Sequence, residues 1–127
     1  MNTKKLLKIK GCKPSITAVS YKSLIFMCMN SKDLMTGEYI IGTIEQETEQ
    51  IIKNIEMLLE ESGSSLKHLL KATIYLSDLK YFSKMNEVVS KYLNKDELSR
   101  SVFIVNLPRD LKIEVDIIAY IPEKQKA

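Results

Sequence analysis

Two hydrophobic periods take turns along this chain. Segments whose apolar residues recur at every second position alternate with segments where they recur every three or four, the pattern of strands and helices sharing one sheet. Leu6 to Ile9, Ile16 to Ser20 and Leu24 to Met29 read as three early strands, with turns around Gly11 and Pro14 and at Tyr21-Lys22-Ser23. After a loop at Met35-Thr36-Gly37-Glu38, Thr43 and Gln46 have the spacing of a capping box. The helix they open carries Ile51, Ile52, Ile55, Leu58 and Leu59 on one stripe and is expected to stop at Gly63. Leu70, Ala72, Ile74 and Leu76 then alternate with Lys71, Thr73 and Tyr75 as a strand. A second helix is expected from Ser77 or Asp78 to about Asn94, with Leu79, Phe82, Met85, Val88, Val89 and Tyr92 on its inner side. Val102 to Val105 reads as a strand buried on both faces and closed by Pro108. In the last strand Ile113, Val115, Ile117, Ala119 and Ile121 point one way, and Lys112, Glu114, Asp116, Ile118 and Tyr120 the other.

The order β-β-β-α-β-α-β-β describes an α+β fold with a six-stranded mixed sheet. Each helix links strands by a crossover, so both helices are expected on one face. The 127 residues, 45% of them hydrophobic, suffice for a single domain over 1–127 with its own core. Nothing in the chain is left to cover the other face. Yet Phe26, Cys28, Tyr75, Ile118 and the run Val102 to Val105 make part of that face apolar. Self-association is the simplest way to dry it.

Composition narrows the partners. The 19 basic and 16 acidic residues are scattered, with no stripe of cations to follow a phosphate backbone, so nucleic acid is not an expected ligand. No stretch approaches the ~18 apolar residues of a membrane span. Cys12 and Cys28 lack the spacing of a metal or redox pair and His68 is the single histidine, so no metal site is expected. Two reduced thiols, and the interruption of the first apolar residues by Lys8 and Lys10, point to a cytoplasmic protein. Cys28 reads as a buried structural thiol in preference to a nucleophile, and His68 as a surface residue.

Three segments in sequence carry a resemblance. The first helix has Gln46-x-x-x-Gln50-x-x-x-Asn54 behind a Thr-Gly-Glu loop, and the second opens Asp78-Leu79-x-x-Phe82-x-x-x-Asn86. The third runs from Arg100 through Leu107-Pro108 to Ile113-Glu114-Val115-Asp116. Together they resemble the RidA (YjgF) family, whose chorismate-mutase-like fold packs a six-stranded sheet and two helices into a homotrimer with sites between subunits. The resemblance implies cofactor-free hydrolytic deamination of reactive 2-imino and enamine acids to 2-keto acids and ammonia. It assigns Arg100 to the substrate carboxylate, which a planar guanidinium grips by two parallel hydrogen bonds. It assigns Glu114 to the attacking water, and Asn86 to bracing the neighbouring active-site loop.

Several positions depart from the family pattern. Ser15 follows the early proline where active members carry a tyrosine, and Cys28-Met29-Asn30 stands where the family has Ser-Gly-Gln. Ser15 and Cys28 are therefore expected to line an altered substrate pocket, completed by backbone groups near Arg100 and Cys28. One residue is missing between Arg100 and Pro108. Arg100 keeps its orientation only when the gap falls in the turn near Asn106, because a one-residue slip reverses side-chain direction on a strand. These departures leave a second reading open, a trimeric relative of weak or no activity that keeps Arg100 as an anchor and binds a small carboxylate as a sensor or regulator. The sequence supplies neither the basic patch nor the histidine pair that nucleic-acid cleavage would require.

Overall fold

The computed structural model describes residues 3–7 and 18–123. Six strands form one sheet in the order β1-β2-β3-β6-β4-β5. They are β1 (Lys5–Leu6), β2 (Ala18–Tyr21), β3 (Leu24–Met29), β4 (Leu69–Leu76), β5 (Ser99–Ile104) and β6 (Ile113–Tyr120). Only β4 and β5 run parallel; the other described pairs are antiparallel. Two long helices, α1 (Ile44–Glu61) and α2 (Phe82–Tyr92), join strands, and their apolar sides share one core with alternate residues of the sheet. The expected α+β order and mixed six-stranded sheet are thus present. Of the early strands, Ile9 and Ile16 lie outside the described residues, and the described parts pair as Lys5↔Ser20 and Leu6↔Val19.

Local chemistry explains both ends of α1. The Thr43 hydroxyl accepts from the Gln46 N–H at 3.2 Å, and the Gln46 side chain accepts from the Thr43 N–H at 2.9 Å, the reciprocal capping box. At the other end the N–H groups of Gly63 and Ser64 return to the carbonyls of Glu60 and Leu59. That closure needs a left-handed residue, and Gly63 supplies it at φ 86°. Between these ends Ile51, Ile52, Ile55, Leu58 and Leu59 are buried as one stripe. Burying such side chains stabilises the packing by about 1.5–3 kcal/mol each relative to exposure.

Four expectations are corrected. Leu70 does not face the core: a β-bulge between Leu69 and Lys71 turns Leu69 inward and leaves Leu70 exposed. The second helix does not begin at Asp78. The Asp78 carboxylate caps a short 3-10 turn over Leu79–Tyr81, and α2 starts at Phe82, so Leu79, Phe82 and Tyr92 stay exposed while Met85, Val88 and Val89 are buried. The run Val102 to Val105 is not buried on both faces, because β5 is the edge strand; Phe103, Ile104 and Val105 are exposed in the single chain. Finally, His68 is half-buried, with Nδ1 3.0 Å from the Ser65 hydroxyl and its ring edge-on to Tyr120.

Candidate functional site

The last strand divides the molecule. Along β6, Ile113, Val115, Ile117 and Ala119 are buried against the helices, and Glu114, Asp116, Ile118 and Tyr120 are half-buried on the opposite face, which carries no helix among the described residues. The alternation expected from the sequence places Glu114 there. Its Cα partner on β4 is Tyr75, while Asp116 lies opposite Thr73 on β4 and Cys28 on β3. The Tyr75 hydroxyl reaches across and donates to Asp116 Oδ2 at 3.1 Å. Tyr75 also stacks on Phe103 of β5, with ring centroids 6.1 Å apart. Beside this cluster a concavity of about 410 Å³ is lined by Phe26, Cys28, Lys71, Thr73, Asp116 and Ile118 among others.

Three groups on this face, Glu114, Cys28 and Tyr75, have their proton affinity displaced upward. Burial, then repulsion from Asp116, raises the Glu114 carboxyl above the ordinary glutamate value. Cys28 is exposed in part, correcting the buried thiol read from the sequence. Packing around its sulfur, followed by its hydrogen bond with Asp116 and the charges of Asp116 and Glu114, nevertheless pushes its pKa from 9.0 to about 12. Cys28 is therefore a protonated thiol near neutral pH and a poor nucleophile. The Tyr75 hydroxyl is held protonated first by its hydrogen bond to Asp116.

Arg100 lies elsewhere. It pairs with Ala72 in the parallel β4–β5 ladder, and Ala72 is a core residue on the helix side. Its guanidinium accordingly points to α2, where Nη1 donates to Asn86 Oδ1 at 3.2 Å. Asn86 thus braces Arg100 itself. The ladder is unbroken from Lys71↔Ser99 to Leu76↔Ile104, and the Val105 N–H continues it to the Leu76 carbonyl. Beyond the ladder, Arg109 and Asp110 take left-handed φ of 60° and 57° in the short 3-10 turn over Pro108–Asp110.

Within one chain the structure joins Arg100 to Asn86, and Glu114 to the region of Cys28, but it does not join these two groups. Arg100 and Glu114 lie on opposite faces with β4 between their strands. The expectation that backbone near both Arg100 and Cys28 completes one pocket is not met inside a single chain. Ser15 lies outside the described residues. Sequence reasoning missed Tyr75 and Asp116 as site residues, although their shared outward parity was a usable signal.

One buried carboxylate was also missed. Glu47 of α1 is fully buried and accepts from the Lys112 N–H at 2.9 Å and the Gly42 N–H at 3.3 Å, with Lys112 Nζ at 3.4 Å. These bonds tie the start of β6, two residues before Glu114, to the helix layer. Asn54, also buried, donates to the carbonyls of Asn30 and Lys32 and fixes the loop after β3. Among the described residues no group of His, Cys, Asp and Glu is arranged to hold a metal ion. No described helix is long and apolar enough to cross a membrane.

The profile of the family described as Endoribonuclease L-PSP matches residues 17–121. The chain belongs to that family, the RidA (YjgF) family. Among RidA-family relatives, a RutC family protein of Pyrococcus abyssi is 45% identical over 69% of this chain and 70% of its own length. A protein of Arabidopsis thaliana named Reactive Intermediate Deaminase A, chloroplastic, is 36% identical over 66% of this chain and 46% of its own. The crystal structure of a putative endoribonuclease from Thermotoga maritima superposes with a TM-score of 0.83 at 32% identity, covering 94% of this chain and 98% of the other. The RidA fold is therefore shared over most of this chain.

Proposed function

We propose that this RidA-family chain hydrolyses reactive 2-imino and enamine acids to 2-keto acids and ammonia, and that it does so as a homotrimer whose sites are completed between subunits. The observation that carries the reading is the division of labour across the sheet. A guanidinium held by Asn86 stands at the free edge strand, and a glutamate with raised proton affinity stands on an uncovered face. Two copies can supply both groups to one substrate where one copy cannot. Exposed Phe26 and Phe103 on the uncovered face, and Ile104 and Val105 at its edge, favour burial against neighbouring copies.

In this reading Arg100 of one subunit clamps the carboxylate by two parallel hydrogen bonds, fixing the imino carbon. Glu114 of the next takes a proton from the attacking water, a task suited to a carboxylate whose proton affinity is raised above the ordinary glutamate value. Cys28 stays a neutral wall of the concavity. The chemistry needs no redox cofactor, since hydrolysis exchanges the C=N bond for a C=O bond without changing the oxidation state of the carbon. The family description mentions an endoribonuclease, but Glu114 and Asp116 on the open face would repel a phosphate backbone.

The test is release of keto acid and ammonia from freshly generated 2-iminopropanoate and 2-iminobutanoate. Arg100→Lys keeps the charge but loses the planar grip, so kcat/KM should fall roughly a hundredfold, the loss of a charge-assisted bidentate contact. Parent-like turnover in Arg100→Lys would remove the clamp. A parent that binds keto acid through Arg100 yet turns over no imine would make the sensor reading the correct one.

A further inference from the structure

The open face holds two carboxylates, and the deaminase reading uses one. Glu114 and Asp116 are two residues apart on β6, so both project from the same face at a Cα separation of roughly 7 Å, twice the strand rise. The Asp116 side chain is not free to turn away. The Tyr75 hydroxyl donates to its Oδ2 from β4, and the protonated Cys28 thiol meets it from β3. An acidic group clamped by two neutral donors, with half-buried Ile118 next along the face, keeps its charge close to Glu114.

We propose that Asp116, anchored by Tyr75, is a positioning residue that acts through Glu114, its negative charge favouring transfer of the attacking water's proton to the Glu114 carboxylate. This rests on the deaminase reading and deepens it. The groups facing Glu114 are Tyr75 from β4, Asp116 from its own strand and Cys28 from β3, with Phe103 of β5 stacked on Tyr75. Lys71 is the cation lining the adjoining concavity, and it makes no ion pair with Asp116 among the described contacts. The upward displacement of Glu114 by burial and by Asp116 agrees with this geometry.

The step balances without an oxidant or reductant. Water oxygen bonds to the imino carbon as the C=N π pair moves to nitrogen, and one water proton passes to Glu114 and on to that nitrogen. The hydroxyl proton of the resulting carbinolamine follows the same route as the C–N bond breaks, so imine and water become keto acid and ammonia. Glu114 ends as it began, ionised.

The experiment pairs two readouts on the intact chain: the pH profile of kcat/KM with freshly generated imine, and the carbon-13 NMR titration of the Glu114 carboxyl group, in the parent and in two Asp116 variants. Asp116→Asn should move the Glu114 titration and the acid limb of the profile to lower pH together, with KM little changed. Asp116→Glu, which keeps the charge, should restore the limb toward the parent's. A Glu114 titration that Asp116→Asn leaves in place overturns the proposal. So does an acid limb that stays in place while Glu114's titration moves. If Asp116→Asn moves the Glu114 titration but the parent releases no keto acid, the deaminase reading fails, and the catalytic use of the pair fails with it.

Discussion

The two faces of the sheet are built from the same strands and differ in nearly everything else. On the helix side Ile25, Leu76 and Ile113 are fully buried, and the polar groups present there, such as Asn54 and Glu47, have hydrogen-bond partners. On the other side Phe26 is 40% and Phe103 52% exposed, and the polar groups among them include Cys28, Lys71, Tyr75, Glu114 and Asp116. The helix face is a finished core. The open face combines apolar area that water disfavours with carboxylates that apolar area disfavours, a pairing that serves little purpose for a lone chain. It fits the proposed assembly, in which neighbouring copies would cover the apolar part and substrate would reach the acidic part.

Truncation on the finished side should have the largest effect. Leu76→Ala removes a fully buried side chain and should lower unfolding stability by ~2–5 kcal/mol, read from urea denaturation at fixed protein concentration. A loss comparable to that of a surface substitution would break the contrast between the faces. The open side is sharpened by Phe103→Asp. A charge at that exposed ring should leave far-UV circular dichroism intact and reduce the mass seen by light scattering to that of the 14.6 kDa chain. An unchanged multimer, or a parent that is itself monomeric at all concentrations, would show that this face is not the interface.

The smallest effect concerns Glu114 and has a definite sign. Its folded-state pKa is raised, so its contribution to stability is full below the ordinary value of 4.5 and is lost as pH rises through the raised value. Glu114→Gln should therefore be more stable than the parent near neutral pH, with the advantage vanishing in acid, while imine turnover falls. Denaturant midpoints measured across pH would reveal it. A variant less stable than the parent at neutral pH would mean that the carboxylate is held by favourable contacts and is not strained by burial. Stability and activity moving in opposite directions at one residue is the mark of a site residue placed against its own preference.

Much of the closed face was legible because its signals are local. Thr43 and Gln46 cap a helix through bonds three residues apart, Gly63 ends it by its own φ, and the period of two in β6 sorts Glu114 from Ile113 without reference to any other strand. The site was legible only in part. Arg100, Asn86 and Glu114 were marked by family resemblance, but no local rule reported that Asn86 would meet Arg100 or that Tyr75 would anchor Asp116, contacts spanning 14 and 41 residues.

Sequence by itself determined which residues alternate, where α1 starts and stops, and the order of elements, since propensity, capping and period are properties of neighbours along the chain. Tertiary structure alone decided that β6 inserts between β3 and β4, that β5 becomes the exposed edge, and that a bulge expels Leu70. It also decided the face of Arg100, because a side chain on β5 acquires a direction only when the parallel register with Ala72 is chosen. Those choices depend on which distant strands pair most favourably over a common core, a competition among the whole set of strands and helices that no single segment records.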